Sequence, residues 1–300
     1  MTAEDPNGDE TDRERHPPLR DRLGNAAFLS AIWLAQLLPY RRRLPVAGWF
    51  FAHILAPLAG WRRRIRANLA LVRPDLSRAE VEHLVRAVPD NIGRSMVETY
   101  SGDSFIEHTR ATGLIEGPGL PLLEAAFAEN RPVILACAHI GNYDAMRVLM
   151  VARDWPVGGF YRPMNNAAFN RHYTDAITHI SEPLFPRGRR GLSAMLRHLR
   201  EGGWLAIAID QADRHADTLM FFGQPAHTSL TAAELALRHD ALLLQAAAIR
   251  QPDGLTFKVW IDEPIPHGEA PAMMQELNDR LEALIRQHMG QWLWIHRRWK

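Results

Sequence analysis

The sequence predicts an α/β protein: a mostly parallel central sheet flanked by helices, with an N-terminal membrane-associating helical segment. Three observations predict it. From residue 119 onward, short apolar runs alternate with amphipathic stretches, the pattern of buried strands joined by covering helices. Two long uncharged stretches lie within residues 23–61, each followed by three arginines. The chain is 47% hydrophobic and 23% charged over 300 residues, enough to bury a sizeable core in one large domain or two small ones.

Residues 1–18, MTAEDPNGDETDRERHPP, read as a disordered acidic tail. Six acids lie among its first 15 residues; the remaining chain sets 33 basic residues against 28 acidic ones, about +5. Lys258 and Lys300 are the only lysines. An arginine bias suits phosphate and carboxylate recognition, and codon composition explains it equally well. The single Cys137 excludes a disulfide framework. The polar first 22 residues do not resemble a secretory leader.

Segment 19–64 holds LGNAAFLSAIWLAQLLPY (23–40) and LPVAGWFFAHILAPLAGW (44–61), trailed by Arg41, Arg42, Arg43 and by Arg62, Arg63, Arg64. Three readings fit: interfacial helices with Trp33, Trp49 and Trp61 at headgroup level, a true span, or ordinary packing helices. Membrane contact is the reading preferred, and Pro57 interrupts the second stretch.

The α/β body is assigned to 65–300. A helix over 77–100 opens on a Ser77/Glu80 capping box, with an interruption expected at Pro89. A helix (119–129) precedes a strand (133–138), and a second helix follows near 143–153. A strand (157–162) leads to a helix near 166–180, and a short strand (183–185) leads to the helix RGLSAMLRHLREG. Then come a strand (204–210), a helix (230–240), strands 241–250 and 256–264, and the closing helix PAMMQELNDRLEALIRQHM.

Ligands in such sheets gather at the carboxyl ends of the strands. His139, Arg162, Arg187 and Asp210 fall at four such ends. In HIGNYD (139–144), a turn after the strand can fold Asp144 back towards His139, giving an imidazole with a carboxylate beside it: a base of near-neutral pKa with a fixed tautomer. Asp144 equally suits the first turn of a helix without any catalysis, and His139 a turn. No serine or threonine lies within the motif, and Cys137 is placed in the strand, so an external hydroxyl is the simpler attacking group.

In FYRPMNN (160–166), Arg162 can grip an anion, and Asn165 or Asn166 can cap the next helix. FPRGRRG (185–191) sets Arg187, Arg189 and Arg190 with two glycines before a helix, which suits phosphate but lacks the lysine of a nucleotide loop. The stretch from Asp210 and Gln211 to Ser229 carries an exposed-looking pair, Phe221 and Phe222. Its Asp210, Asp213 and His215 match no zinc or iron spacing.

These segments, with RANLALVRPDLS (66–77), NIGR (91–94), DQADRHADTLMFFGQPAHTS (210–229) and QWLWIHRRWK (291–300), resemble the bacterial lipid A biosynthesis (lauroyl/myristoyl-type) acyltransferases. That family lies within the H-x4-D/E glycerolipid acyltransferase superfamily. The resemblance implies transfer of a fatty acyl group from an acyl–acyl carrier protein thioester, or from acyl-CoA, to a hydroxyl of a membrane lipid such as a lipid A precursor. It implies no cofactor, no metal and no nucleic-acid partner.

It makes His139 the general base and Asp144 its orienter. Asn142, Arg162, Asn165, Arg187, Arg189, Asp210 and Gln211 become substrate-binding candidates. Backbone N–H groups of the 140–144 turn, or an arginine, would serve the oxyanion. Phe221 and Phe222 line an acyl tunnel or plain core. The cytoplasmic face of the inner membrane is the expected location. Lipid A members often end the motif in glutamate where this chain has Asp144, which loosens the assignment of the acceptor. Lysophospholipid, phosphoinositol mannoside or aminolipid acceptors, and a non-catalytic lipid-binding scaffold, are the rival readings.

Overall fold

The computed structural model describes residues 19–164, 166–213 and 216–299, so the expected acidic tail (1–18) lies outside the described residues. The N-terminal stretches are helical: α1 (Leu19–Gln36) and α2 (Tyr40–Phe50), the latter continued by a π-helical segment (Phe51–Leu55) and a last turn to Leu58. Helix α3 (Trp61–Val72) and the long α4 (Arg78–Thr99) follow. One side of α2 is packed on α4, with Leu44 fully buried. Gly93 lets the two approach, since a Cβ there would stand 2.7 Å from the Ala47 carbonyl oxygen. The other side leaves Val46, Trp49, Phe50, Ile54 and Leu58 exposed, and α1 exposes Leu29, Trp33 and Leu34, with Leu37 exposed in the turn after it.

Among the described residues no single helix is long and apolar enough to cross a membrane. The run Tyr40–Leu58 and Trp61–Val72 meet that standard only as a pair bent by 86°.

Helix α4 opens on the expected capping box, with the Ser77 hydroxyl accepting from the Glu80 N–H and the Glu80 carboxylate accepting from the Ser77 N–H. Pro89 does not interrupt it. A proline inside a helix removes one backbone bond, and here burial of Val85, Val88 and Pro89 holds the helix through it.

Helix α5 (Asp103–Thr112) and strand β1 (Leu114–Glu116) are additions to the expected elements. Then come α6 (Leu120–Ala128), β2 (Val133–Cys137), α7 (Tyr143–Val151), β3 (Val157–Tyr161), α8 (Ala167–Ile180), β4 (Leu184–Pro186), α9 (Arg189–Arg200) and β5 (Trp204–Ala208). A second addition is the hairpin β6 (Asp217–Phe221) and β7 (Gln224–Thr228). Its two-residue turn puts Phe222 and Gly223 at φ of 54° and 69°, the left-handed pair that matches strand twist. Helix α10 (Thr231–His239), β8 (Leu242–Arg250), β9 (Phe257–Pro264) and α11 (Ala270–Gln287) complete the body.

The seven-stranded sheet runs β1-β9-β8-β2-β5-β3-β4, and only the β8–β9 pair is antiparallel. Strand β2 is buried along its whole length because apolar cores cover both sheet faces. One core takes Ile65, Leu84, Met195 and Leu277 from α3, α4, α9 and α11; the other takes Phe105, Leu123, Met146 and Ile180 from α5, α6, α7 and α8. The carboxyl ends of β8, β2, β5, β3 and β4 therefore share one edge, with β2 and β5 adjacent near its middle.

Candidate active site

The ladder between β2 and β5 ends with Cys137 opposite Ala208. His139 and Asp210 each lie two residues beyond that last pair, so the register delivers them side by side. The His139 ring is bonded through Nδ1 to Asp210 Oδ1 at 2.8 Å, and the His139 backbone N–H donates to Asp210 Oδ2 at 2.8 Å. The indole N–H of Trp292 donates to the same Oδ2 at 2.9 Å. A carboxylate only accepts, so Nδ1 carries the ring proton and Nε2 presents a lone pair. Gln211 Nε2 stands 3.3 Å from that nitrogen. The imidazole is 22% exposed while its carboxylate partner is 3% exposed, so the ring meets the open side and the carboxylate does not.

The electrostatics follow from this placement. Burial opposes the charged imidazolium, but the charge of Asp210 and its hydrogen bond together outweigh it, and the His139 pKa lies above the usual histidine value. Burial also works against the Asp210 anion; His139, the backbone N–H and Trp292 overcome it and bring its pKa to about 2. Burial pushes the Cys137 thiol up to about 12, which removes it as a nucleophile at neutral pH.

Asp144 corrects the sequence reading. Its carboxylate is 2% exposed and bonds Arg147 through Oδ1 at 2.8 Å and the Thr99 hydroxyl through Oδ2 at 3.0 Å. The orienting bond to His139 comes from Asp210 instead, because adjacent parallel strands bring that carboxylate to Nδ1. Asn142 caps α7, its side-chain oxygen accepting from the Asp144 N–H at 3.0 Å while its amide donates to Glu98 at 2.8 Å.

Glu98 and Arg250 are buried and form a two-pronged ion pair, one arm of it at 2.7 Å. Arg250 also reaches Asn91 and Ser95, and those two side chains both donate to the Gly141 carbonyl, at 3.1 and 3.0 Å. Gly141 has φ of +59°, and a Cβ there would meet the Ala248 carbonyl oxygen at 1.9 Å, so only glycine fits. The turn is held from all sides. The N–H groups of Ile140, Gly141, Asn142 and Asp144 are all bonded within the protein, and among the described residues Tyr143 has the one N–H of this turn with no acceptor.

A cavity of about 180 Å³ opens beside His139, lined by Ile92, Ser95, Met96 and Thr99 along one face of α4 and by Tyr143 and Tyr173 opposite. Arg162, Arg187 and Arg189 are exposed at the ends of β3 and β4 and at the start of α9, and none of them lines it. Asn165 and His215 lie outside the described residues. Phe221 and Phe222 are not exposed. They are 1% and 4% accessible, packed with Trp292, Trp294 and Trp299, and absent from the cavity wall, so they are core rather than tunnel.

The residues the sequence reading missed are Glu98, Arg147, Arg250 and Trp292. Arg250 carried the same signal as the other strand-end groups: a charge closing the apolar run of β8.

A family model described as bacterial lipid A biosynthesis acyltransferase matches residues 19–300. A lipid A biosynthesis acyltransferase of Haemophilus influenzae is 26% identical over 284 residues, 90% of this chain and 88% of that protein. A lipid A biosynthesis palmitoleoyltransferase of Escherichia coli is 26% identical, covering 91% and 89%. A phosphatidylinositol mannoside acyltransferase of Mycobacterium tuberculosis is 23% identical, covering 80% and 78%.

Proposed function

Starting from a chain that belongs to the bacterial lipid A biosynthesis acyltransferase family, and so is a lipid acyltransferase, we propose that it moves a fatty acyl group from an acyl–acyl carrier protein thioester to a hydroxyl of a lipid A precursor. The observation that carries the mechanism is the His139–Asp210 pair, which commits Nδ1 and leaves Nε2 with only the Gln211 amide at 3.3 Å. The acceptor hydroxyl gives its proton to Nε2 as its oxygen attacks the thioester carbonyl carbon. Asp210 stabilises the imidazolium that forms. The tetrahedral intermediate collapses by breaking the carbon–sulfur bond, and the departing thiolate takes the proton from Nε2, returning the base to its starting form. The Tyr143 N–H, at the positive end of α7, is the backbone donor left for the oxyanion. Gln211, on the same nitrogen, is displaced when the hydroxyl arrives.

The acceptor stays in a bilayer, and the exposed apolar side chains of α1 and α2 beside Arg41 and Arg42 support docking at the cytoplasmic face of the inner membrane. Arg162, Arg187 and Arg189 are assigned to headgroup anions at the mouth of the site. The similarity to phosphatidylinositol mannoside acyltransferases favours a second reading, in which the same chemistry serves another lipid hydroxyl.

Lipid mass spectrometry separates the two, on cells that lack their own late lipid A acyltransferase and express this chain or its His139→Ala variant. One added acyl group on lipid A with the unaltered chain alone is the expected outcome. A gain on another lipid selects the second reading, and an equal gain with both chains removes His139 as the base.

A further inference from the structure

We propose that Asp144 is a positioning residue which, through Arg147, clamps helix α8 into the wall of the cavity beside His139 and takes no part in orienting the imidazole. The inference rests on the acyl-transfer reading and gives one residue of the His-x4-Asp motif a different task. Hydrogen-bond capacity is the first reason. Nδ1 of His139 is committed to Asp210, and Nε2 has to stay open for a substrate hydroxyl, so no ring nitrogen remains for Asp144.

The second reason is that both Asp144 oxygens are already engaged, one by Arg147 and one by Thr99. Arg147, itself 4% exposed, spends its other terminal nitrogen on the carbonyls of Ile177 at 3.1 Å and Ser181 at 2.6 Å. These carbonyls lie at the C-terminal end of α8, where the Ile177 oxygen otherwise accepts only a long 3.4 Å bond from the Ser181 N–H. One carboxylate thus gathers α4, α7 and α8. Helix α8 carries Tyr173, which lines the cavity and faces the Tyr143 hydroxyl at 3.4 Å. One turn earlier, Phe169 meets Phe28 of α1 at 5.0 Å between ring centroids. Loosening the clamp therefore moves the wall against which substrate rests, while the base keeps its own carboxylate. The charged group facing Asp144 is Arg147; the phenols of Tyr143 and Tyr173 stay protonated, Tyr143 because the neighbouring Tyr173 and burial raise its pKa, Tyr173 mainly because of burial.

The test measures kcat, KM for the lipid acceptor and the pH profile of kcat/KM on the full chain, for Asp144→Asn and Asp210→Asn. An asparagine at 144 still offers a carbonyl to Arg147. The expected result is a kcat loss below about tenfold, a larger rise in KM, and an acid limb at its original pH. Asp210→Asn should lose about 10⁴-fold in kcat, as when the buried aspartate of a serine protease is amidated. An Asp144→Asn loss as deep as that, or an equal displacement of the acid limb, overturns the clamp. Because neutralising one buried charge strands the other and can prevent folding, the pair Asp144→Asn with Arg147→Gln is read by the same criteria. Absence of transfer by the unaltered chain overturns the acyl-transfer reading and the clamp with it. Transfer by the unaltered chain beside an Asp144 series that shows the deep kcat loss or the displaced limb overturns the clamp alone.

Discussion

The edge of the sheet at β2 and β5 and the first turn of α7 each bury an aspartate against a basic side chain, yet they end differently. At the sheet edge, Asp210 bonds one nitrogen of an imidazole whose other nitrogen holds only the Gln211 amide, at 3.3 Å. At α7, Asp144 bonds a guanidinium whose second terminal nitrogen is spent on main-chain carbonyls. A buried carboxylate becomes chemical equipment when its partner lines the cavity, as His139 does; when its partner lies behind the cavity wall, as Arg147 does, the same pair is framework.

The sharpest way to break the comparison is Asp210→Asn, expected to cost about 10⁴-fold in kcat in an acyl-transfer assay while leaving the thermal transition nearly in place. Retention of activity would place the orienting charge elsewhere. Next in size is Glu98→Gln. It strands Arg250 without a counter-charge and should cost about 3–5 kcal/mol in a denaturant titration, and activity falls because Gly141 and Asn142 lose their bracing. Trp292→Phe removes one donor to Asp210 while keeping most of the ring packing. A drop of about tenfold in kcat is expected, equivalent to ~1.4 kcal/mol, with KM little changed.

The pH profile sharpens the contrast without a loss. The active base is neutral His139, and its pKa lies above the usual value of about 6.5. Protonation removes activity, so kcat/KM should rise with pH through a midpoint above that value. In Asp210→Asn the midpoint should fall, because burial then acts on the imidazolium unopposed. The smallest effect belongs to the remote apolar face. Trp33→Ala with Trp49→Ala should weaken binding to vesicles containing anionic lipid, leaving turnover on detergent-dispersed acceptor within about twofold.

The six apolar runs taken as strands all formed strands, within a residue or two; β2, β5 and β8 were the plainest, because a run buried on both faces needs no partner information to be recognised. Strand β1 escaped because its three residues include one buried apolar side chain, Ile115, between an exposed leucine and a glutamate. The β6–β7 hairpin escaped because its turn uses Phe222 in a left-handed conformation more typical of Asn or Gly, stabilised here by packing and by Glu282 at its N–H. In the site, His139 and Asp210 were legible as strand ends, yet their bond was not. It joins residues 71 apart, and local spacing favoured the nearer Asp144. Glu98 and Arg147 were invisible for a related reason. On helices, a charged residue reads as a solvated face until packing turns it inward.

The separation of base and carboxylate is the interstrand spacing of a parallel sheet, about 4.8 Å, corrected only by the lengths of two side chains. It is therefore a property of the most cooperative part of the molecule. Fraying of surface helices cannot part His139 from Asp210, so heat inactivation by loss of this pair should coincide with melting of the sheet. A one-residue deletion inside β5 would turn every later side chain of that strand to the opposite face. It would abolish the pair with the helices untouched.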